Sequence, residues 1–341
     1  MRSAVDKPLL PLEPAPMGDG SRRSGALAAR GLTGLRESGI LLPFIALFIV
    51  LSVASSHFFT GTNLLNVGDQ QASTLIAAAG ETLVLVTGGL DLSIGAIYVL
   101  AGVTAAHFAL VTNPAFAILL ALLVGLAIGV TNGVVVAVLR VNSLIATLAA
   151  SYVVIGIAGL ATGGNIIDDF SRPSFGDFSR TLFIGVHTST WVTIFVLVLL
   201  GVMLHRTTTG RYMYAAGGNP EAAQLAGVRV RQVQIFAFAC SGVAAALGGV
   251  IDTSRVLSSP SVSNEGFGLA FAVLAGVVVG GTSILGGRGA MWRSVVGILF
   301  IALIGNGFNL LGANPLYETI VLGVLLVAAV AFDAWTRLRQ G

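Results

Sequence analysis

About ten long apolar runs, separated by short polar segments, constrain this chain more than any other feature. A helix needs roughly 20 apolar residues to cross a bilayer, and helices satisfy all their backbone groups internally when they do so. We therefore predict an all-α, polytopic integral membrane protein with about ten transmembrane helices. The runs cover approximately residues 39–56, 71–87, 93–112, 115–139, 143–163, 183–204, 232–252, 267–284, 291–311 and 316–334.

The composition excludes a soluble globular protein and disfavours an enzyme. Of the 341 residues, 55% are hydrophobic and 10% are charged, whereas an ordinary soluble domain has about 25% charged residues. Cys240 is the only cysteine, so one chain cannot form a disulfide or a thiolate metal site. The four histidines are scattered along the chain with no spacing typical of a metal or acid–base site. We predict no catalytic residues, no metal and no cofactor.

The basic residues predict the orientation in the membrane. With ten spans and the N-terminus inside, 15 of the 18 Lys and Arg residues fall on the cytoplasmic side, and only Arg172, Arg180 and Arg255 fall outside. Both termini are thus predicted to be cytoplasmic, and the basic pI reflects topology rather than nucleic-acid binding. The predicted organisation is a disordered cytoplasmic tail over 1–37, a transmembrane domain over 38–335 with a cytoplasmic loop at 205–232, and a short cytoplasmic tail over 336–341.

A polar stretch interrupts the apolar sequence between the second and third runs. Residues 87–95, Thr-Gly-Gly-Leu-Asp-Leu-Ser-Ile-Gly, carry a carboxylate, three glycines and two hydroxyls. An Asp at the centre of a membrane helix costs about 2.5–3.5 kcal/mol on insertion scales. The stretch therefore lies either at a membrane surface or in a water-lined break between helices, and both favour a protein that passes a solute through a bilayer. Asp91, helped by Ser93, either caps the third span or has a gating or substrate role.

Other polar residues in or near the spans are candidates for a substrate pathway. Glu81 lies near the middle of an apolar run, where it either lines the pathway or forms a buried hydrogen-bonded pair. Asn side chains in spans either bridge helices or contact the solute. Gln70 and Gln71 lie at the outer end of the second span, which is either a solvated helix end or a place where the solute enters. The candidate pathway residues are Gln70, Gln71, Glu81, Asp91, Ser93, Asn132 and Asn306.

The polar loop 205–232 contains a short helix with clear boundaries. Asn219 is a favourable N-cap, Pro220 suits the first helical position, Glu221 favours the positive end of the helix, and Gly227 suits the C-terminal stop. The apolar side of this helix carries Ala222, Leu225 and Ala226. The helix either lies on its own protein or docks into a groove of a cytoplasmic partner.

Small residues predict close helix packing elsewhere. Gly125, Gly129 and Gly133 repeat every four residues in the fourth run, and Gly276 and Gly280 do so in the eighth. Such spacing lets helix backbones approach closely, so packing is the favoured interpretation of these glycines.

The sequence resembles the permease subunits of bacterial ABC importers for ribose, xylose and related monosaccharides. The resemblance depends on 87–95 followed by Leu100-Ala101-Gly102, on 218–223 with Ala226-Gly227-Val228, and on the glycine-rich stretch 280–289, and it covers about 40–333. It implies a multi-pass protein of the bacterial inner membrane that works with ABC ATPase subunits, an extracytoplasmic solute-binding protein and a second permease copy or paralogue. It also implies that the 219–227 helix couples to the ATPase, through Gly218, Asn219, Pro220, Glu221, Ala222, Ala223 and Gly227.

The chain's lysine content agrees with a separate ATPase. A phosphate-binding loop of the G-x-x-x-x-G-K-[ST] type requires a lysine, and the only lysine, Lys7, lacks that context. Two features depart from the family pattern: Glu81 stands where the family usually has Met, and Ala270 and Ala272 stand where many sugar permeases have Glu and Asp. We predict an ABC-importer permease for a monosaccharide or similar small polar solute. The alternative is a secondary transporter in which Glu81 and Asp91 bind a coupling ion.

Overall fold

The computed structural model describes residues 39–168, 173–262, 265–314 and 316–338. The predicted disordered tail over 1–37 and the last three residues of the predicted C-terminal tail lie outside the described residues.

The described part of the chain is helical except for one small hairpin. In chain order the elements are α1 (Leu41–Ala54), α2 (Gly61–Gln70), α3 (Ala72–Val86), α4 (Ile94–Val111), α5 (Pro114–Ala137), α6 (Ser143–Thr162), a 3-10 turn (Pro173–Phe175), α7 (Asp177–Arg180), β1 (Leu182–Phe183), β2 (Val186–His187), α8 (Thr188–Arg206), α9 (Thr208–Gly218), α10 (Pro220–Leu225), α11 (Val230–Val256), α12 (Glu265–Val279), α13 (Met291–Leu310) and α14 (Leu316–Leu338).

The all-α, polytopic prediction is confirmed. A helix lies at each of the ten predicted positions, and α2, α7, α9 and α10 are additional. Six helices of the described residues, α4, α5, α6, α8, α11 and α13, are long and apolar enough to cross a membrane, and shorter apolar helices lie at 41–54, 72–86, 266–279 and 316–331. The number of crossings and the cytoplasmic termini stay predictions.

Two helix boundaries differ from the predicted runs because local backbone geometry overrides apolar composition. The sixth run was expected to begin at 183, but residues 182–187 form the hairpin, whose turn holds Ile184 and Gly185 at φ values of 54° and 75°. The eighth run was expected to reach 284, but α12 ends at Val279 because Gly281 adopts a φ of 91°. Both turns use the left-handed region, which stops regular secondary structure.

Helix α11 runs through the centre of the fold and packs against α3, α4 and α5. The predicted glycine face of α5 makes this possible. A Cβ atom on Gly125 would lie 2.4 Å from the carbonyl oxygen of Gly242, and one on Gly129 would lie 2.4 Å from that of Phe238. The backbones of α5 and α11 therefore touch directly, as small residues at this spacing allow.

Candidate substrate pathway and coupling surface

Residues 87–93 form a non-helical break between α3 and α4. The polar side chains of this break are buried within the protein. Thr87, Asp91 and Ser93 are each at most 1% exposed. Non-helical backbone at membrane depth is tolerated where protein surrounds it and supplies the missing hydrogen bonds. The structure therefore encloses the polar side chains of the break within the protein, and the depth of the break in the membrane stays a prediction.

A row of hydroxyls on α6 supplies those hydrogen bonds. The Ser143 hydroxyl accepts from the Leu90 N–H at 3.2 Å, and the Thr147 hydroxyl accepts from the Leu92 N–H at 3.0 Å. The Ser151 hydroxyl donates to the Leu92 carbonyl at 3.0 Å. Sequence reasoning missed these residues, although their spacing of four, which places them on one helix face, was a visible signal.

Side chains from three other elements surround Asp91. One carboxylate oxygen accepts from the Ser93 N–H at 3.0 Å and from the Ser93 hydroxyl, and the other accepts from the Ser241 hydroxyl of α11 at 2.8 Å. The Asn132 amide of α5 donates to the Ser93 hydroxyl at 2.8 Å. Four predicted pathway residues, counting Glu81, therefore meet in one buried cluster, and Ser241 is a member that the sequence did not reveal.

Glu81 joins this cluster from α3 and is 1% exposed. Its Oε1 accepts from the Asp91 N–H at 3.3 Å. Its Oε2 is buried and has no hydrogen-bond partner among the described residues. Glu81 thus holds the backbone of the break, with one oxygen left over.

The three glycine-rich segments behind the sequence resemblance converge at one end of the break, at a junction formed by Gly88, Gly217, Gly286 and Gly287. A Cβ on Gly217 would lie 2.0 Å from the Val86 carbonyl oxygen, and one on Gly286 would lie 2.7 Å from the Gly88 Cα. The Gly287 N–H donates to the Val86 carbonyl at 3.0 Å. This glycine junction joins the end of α3, the end of α9 and the loop after α12.

Tyr214 adds a hydrogen bond beside the glycine junction. The Tyr214 hydroxyl of α9 donates to the Gly289 carbonyl at 2.8 Å. Burial raises the pKa of Tyr214, so this hydroxyl keeps its proton at neutral pH and remains a donor.

Helix α10 begins directly after α9 and has the predicted caps. The Asn219 side chain accepts from the Ala222 N–H at 2.9 Å, Pro220 occupies the first turn, and Gly227 ends the segment with a φ of 84°. Ala223 is buried against the core, whereas Leu225 is 91% exposed. Helix α10 therefore buries Ala223 against its own protein and presents the predicted apolar side outwards.

A cavity of about 450 Å³ with polar and apolar lining residues, which we call the polar cavity, lies at the end of α3 and α11 remote from the glycine junction. Helices α3 and α11 both run between the two ends, because Val86 and Val230 lie near α9 and α10 whereas Ser73 and Val256 line the cavity. Tyr98 and Arg255 both donate to the carboxylate of Asp252, Tyr98 through its hydroxyl and Arg255 through Nε at 3.1 Å and also through Nη2.

The remaining predicted pathway residues lie apart from the buried cluster. Gln70 lines the polar cavity. Gln71 forms the junction of α2 and α3. Asn306 of α13 exchanges two amide hydrogen bonds with Asn63 of α2, at 2.9 and 3.1 Å.

Comparison with known proteins identifies the kind of chain that carries these features. Residues 39–330 match the family described as the permease component of the branched-chain amino acid transport system. The chain belongs to this permease family. The predicted resemblance to the permease subunits of monosaccharide ABC importers is confirmed, as is the prediction that the chain is a transport component rather than an enzyme.

Curated relatives cover nearly the whole permease. The ribose import permease protein RbsC of Escherichia coli K12 is 36% identical over 88% of this chain and 94% of its own length. RbsC of Bacillus subtilis 168 is 36% identical over 85% and 91%, respectively. The L-arabinose ABC transporter permease protein AraH of Azospirillum brasilense is 34% identical over 90% of each chain. No solved structure matches this permease significantly.

These comparisons support a multi-pass membrane protein of an ABC importer, a class that works with ATPase and solute-binding partners in general. They do not favour the ion-coupled secondary transporter.

Proposed function

We propose that this permease translocates a monosaccharide across the bacterial inner membrane as one subunit of an ATP-driven importer. Relatives named for ribose and L-arabinose support this substrate class. The partners would be cytoplasmic ABC ATPase subunits, an extracytoplasmic solute-binding protein and a second permease copy or paralogue. Nucleotide binding in the ATPase would shift the population between two arrangements of the helices.

The outward-facing side of α10 is the observation that carries the proposal. An isolated helix of six residues is too short to be stable, so its caps and the buried Ala223 methyl hold it in place. Even so, the large apolar side chain of Leu225 remains 91% exposed. Rigid presentation of an apolar side chain suits docking into a partner's groove.

The other coupling residues have distinct places in this proposal. Asn219, Pro220 and Gly227 would set the start and end of α10, and Glu221 and Ala222 would flank Leu225 on the exposed surface. Gly218 ends α9 beside the glycine junction, where Gly287 lies close to it. Movement of α10 would therefore reach the break directly through α9.

We propose that the buried cluster supports the break rather than binding the solute. Asp91, Ser93 and Asn132 use their polar groups on one another, on Ser241 and on the backbone. In the same way, the Asn306–Asn63 pair would hold α13 to α2. Of the seven predicted pathway residues, Gln70 lines the polar cavity.

The test of coupling is Leu225→Glu in the complete importer, reconstituted in proteoliposomes with its ATPase and solute-binding protein. Loss of a central interface residue costs about 2 kcal/mol or more, roughly thirtyfold in affinity. We expect ATP-dependent uptake to fall strongly while the permease stays folded, and Leu225→Met to retain uptake. Normal uptake by Leu225→Glu would show that α10 does not dock. Ala223 is a poorer site for this test, because a charge there would disrupt packing.

Energy coupling has its own measurement. Uptake should require ATP on the ATPase side and persist when ion gradients are abolished. Uptake that follows an imposed proton or sodium gradient without ATP would overturn the importer proposal.

A further inference from the structure

We propose that the polar cavity is a solute-binding site of the permease, built for an uncharged polyhydroxylated ring such as a pentose. This inference rests on the proposed function, because it names the place where the solute of that function binds. Its central elements are the Tyr98–Asp252–Arg255 network and the unused polar groups of Gln70, Ser73 and Thr74.

The size of the cavity suits a small solute. Ligand pockets commonly measure about 300–1,000 Å³, and this one measures about 450 Å³. A single monosaccharide with a few waters would fit.

The cavity offers hydrogen-bonding groups that the protein leaves unused. The side chains of Gln70, Ser73 and Thr74 make no hydrogen bond to any other described residue, although all three line the cavity. By contrast, Thr82, Thr104 and Thr131 each donate to the carbonyl four residues earlier in their own helices. A helical hydroxyl that does not bond to its own backbone is available to a ligand.

The Tyr98–Asp252–Arg255 network fixes a carboxylate at the cavity wall. Arg255 and Tyr98 donate to different oxygens of Asp252, so the carboxylate is held from both sides. Each carboxylate oxygen has two lone pairs, and guanidinium has five N–H donors, so both groups retain capacity for solute hydroxyls. Such fixed groups bind without the entropic cost of ordering them.

Charge balance favours an uncharged solute. Asp252 and Arg255 form an ion pair in which Nη2 of Arg255 contacts Oδ1 of Asp252. The remaining described lining residues are neutral. Ala272 also lines the cavity and adds no charge to it. A charged solute would therefore find no unpaired countercharge here.

The apolar part of the lining completes the fit. Leu269, Val256 and Pro260 face the same space as the polar groups. A sugar ring presents C–H groups on its faces and hydroxyls around its edge, so a cavity with both kinds of lining matches it better than a uniformly polar one.

The cavity connects structurally to the break. Tyr98 lies in the second turn of α4, whose first residue follows Ser93, and Asp252 lies eleven positions after Ser241 on α11. At 1.5 Å per residue this is about 16 Å along α11. A solute held by Tyr98 and Asp252 therefore touches the two helices that the break positions.

The experiment is protection of a single cysteine from chemical labelling in the assembled importer. Ser258 lines the cavity and differs from cysteine by one atom, so the labelling site would be Ser258→Cys in a Cys240→Ala background. A membrane-impermeant methanethiosulfonate reagent would be applied with and without saturating ribose or L-arabinose. We expect the sugar to slow labelling several-fold, and Ser56→Cys, exposed in the turn between α1 and α2, to react at the same rate either way. Labelling of Ser258→Cys that is unaffected by any transported sugar would overturn the proposal.

The Thr74→Val variant provides the second readout. One lost hydrogen bond corresponds to about a tenfold loss of affinity, so we expect Thr74→Val combined with Ser258→Cys to need roughly ten times more sugar for half-maximal protection from labelling. An unchanged sugar requirement would count against the cavity. Failure of the proposed function is distinguishable, because the unmodified importer would then show no ATP-dependent uptake of either sugar.

Discussion

The break and the polar cavity hold similar polar groups but use them differently. In the break, hydroxyls of α6 and α11 bond to the exposed backbone and to Asp91, so almost every polar atom has a partner within the chain. In the cavity, the hydroxyls of Ser73 and Thr74 have none among the described residues. The difference separates polar residues that hold the fold from polar residues that are available to a solute.

The largest expected effect is at the glycine junction, which closes one end of the break. Gly217→Ala would place a Cβ 2.0 Å from the Val86 carbonyl oxygen, and overpacking typically costs about 1–3 kcal/mol and occasionally more. We expect a clear loss of folded permease, measured as thermal unfolding of purified protein. Gly156→Ala, where nothing lies within 4 Å, is the control and should unfold normally. Equal stability of the two variants would mean that the junction is not closely packed.

The next largest effect concerns the partner of Asp91. Ser241→Ala would leave a buried carboxylate oxygen without its donor, and an unsatisfied buried group costs about 1–3 kcal/mol. Thr253→Val is a matched control on the same helix, because among the described residues that hydroxyl bonds to the Gly249 carbonyl of its own helix and to no other group. We expect chemical or thermal unfolding to separate the two variants clearly. A Ser241→Ala protein as stable as Thr253→Val would contradict the assignment of Asp91 to the fold.

Glu81 gives a smaller and more discriminating test. Glu81→Gln keeps the acceptor for the Asp91 N–H and should change little, whereas Glu81→Met removes that acceptor. Losing a typical hydrogen bond costs about 0.5–1.5 kcal/mol. The same substitution also removes the buried, unpartnered Oε2, which offsets part of this cost. We expect Glu81→Met to shift unfolding modestly and to leave sugar preference unchanged in an uptake panel.

A change of sugar preference in Glu81→Met, with normal protein level and stability, would show that Glu81 contacts the solute and does more than support the break.

The smallest effect on stability is expected in the cavity. Ser73→Ala removes a hydroxyl that bonds to no described residue, so the free energy of unfolding should stay within about 0.5 kcal/mol. A larger loss, measured in the same unfolding assay, would show that this hydroxyl supports the fold and would weaken the distinction between the two regions.

Much of the fold was predictable from the sequence because membrane helices are recognisable as long apolar runs. The ten helix positions, the caps of α10 and the glycine contacts of α5 all depend on local sequence, which is why they were predictable. The hairpin at 182–187 was not predicted, because backbone turns with positive φ at a non-glycine residue such as Ile184 leave little trace in composition.

The site was less predictable because it depends on contacts between distant segments. Glu81, Asp91, Ser93 and Asn132 were recognisable as polar residues in apolar surroundings, but their shared partner Ser241 lies 150 positions from Asp91. The place of Asp252 and Arg255 in the cavity was not predicted for a similar reason. An Asp and an Arg three positions apart near a helix end suggest only a surface ion pair.

The most direct test of the distinction compares Thr147→Val with Thr74→Val in the same importer. Each substitution removes one hydroxyl and keeps the side-chain shape, but Thr147 bonds to the break and Thr74 faces the cavity. Thermal unfolding and the ribose concentration that half-protects Ser258→Cys from labelling, called half-saturation, would be measured for both. We predict that Thr147→Val lowers the unfolding temperature without changing half-saturation, and that Thr74→Val raises half-saturation without changing the unfolding temperature. The opposite pattern, or the same pattern in both variants, would contradict the account.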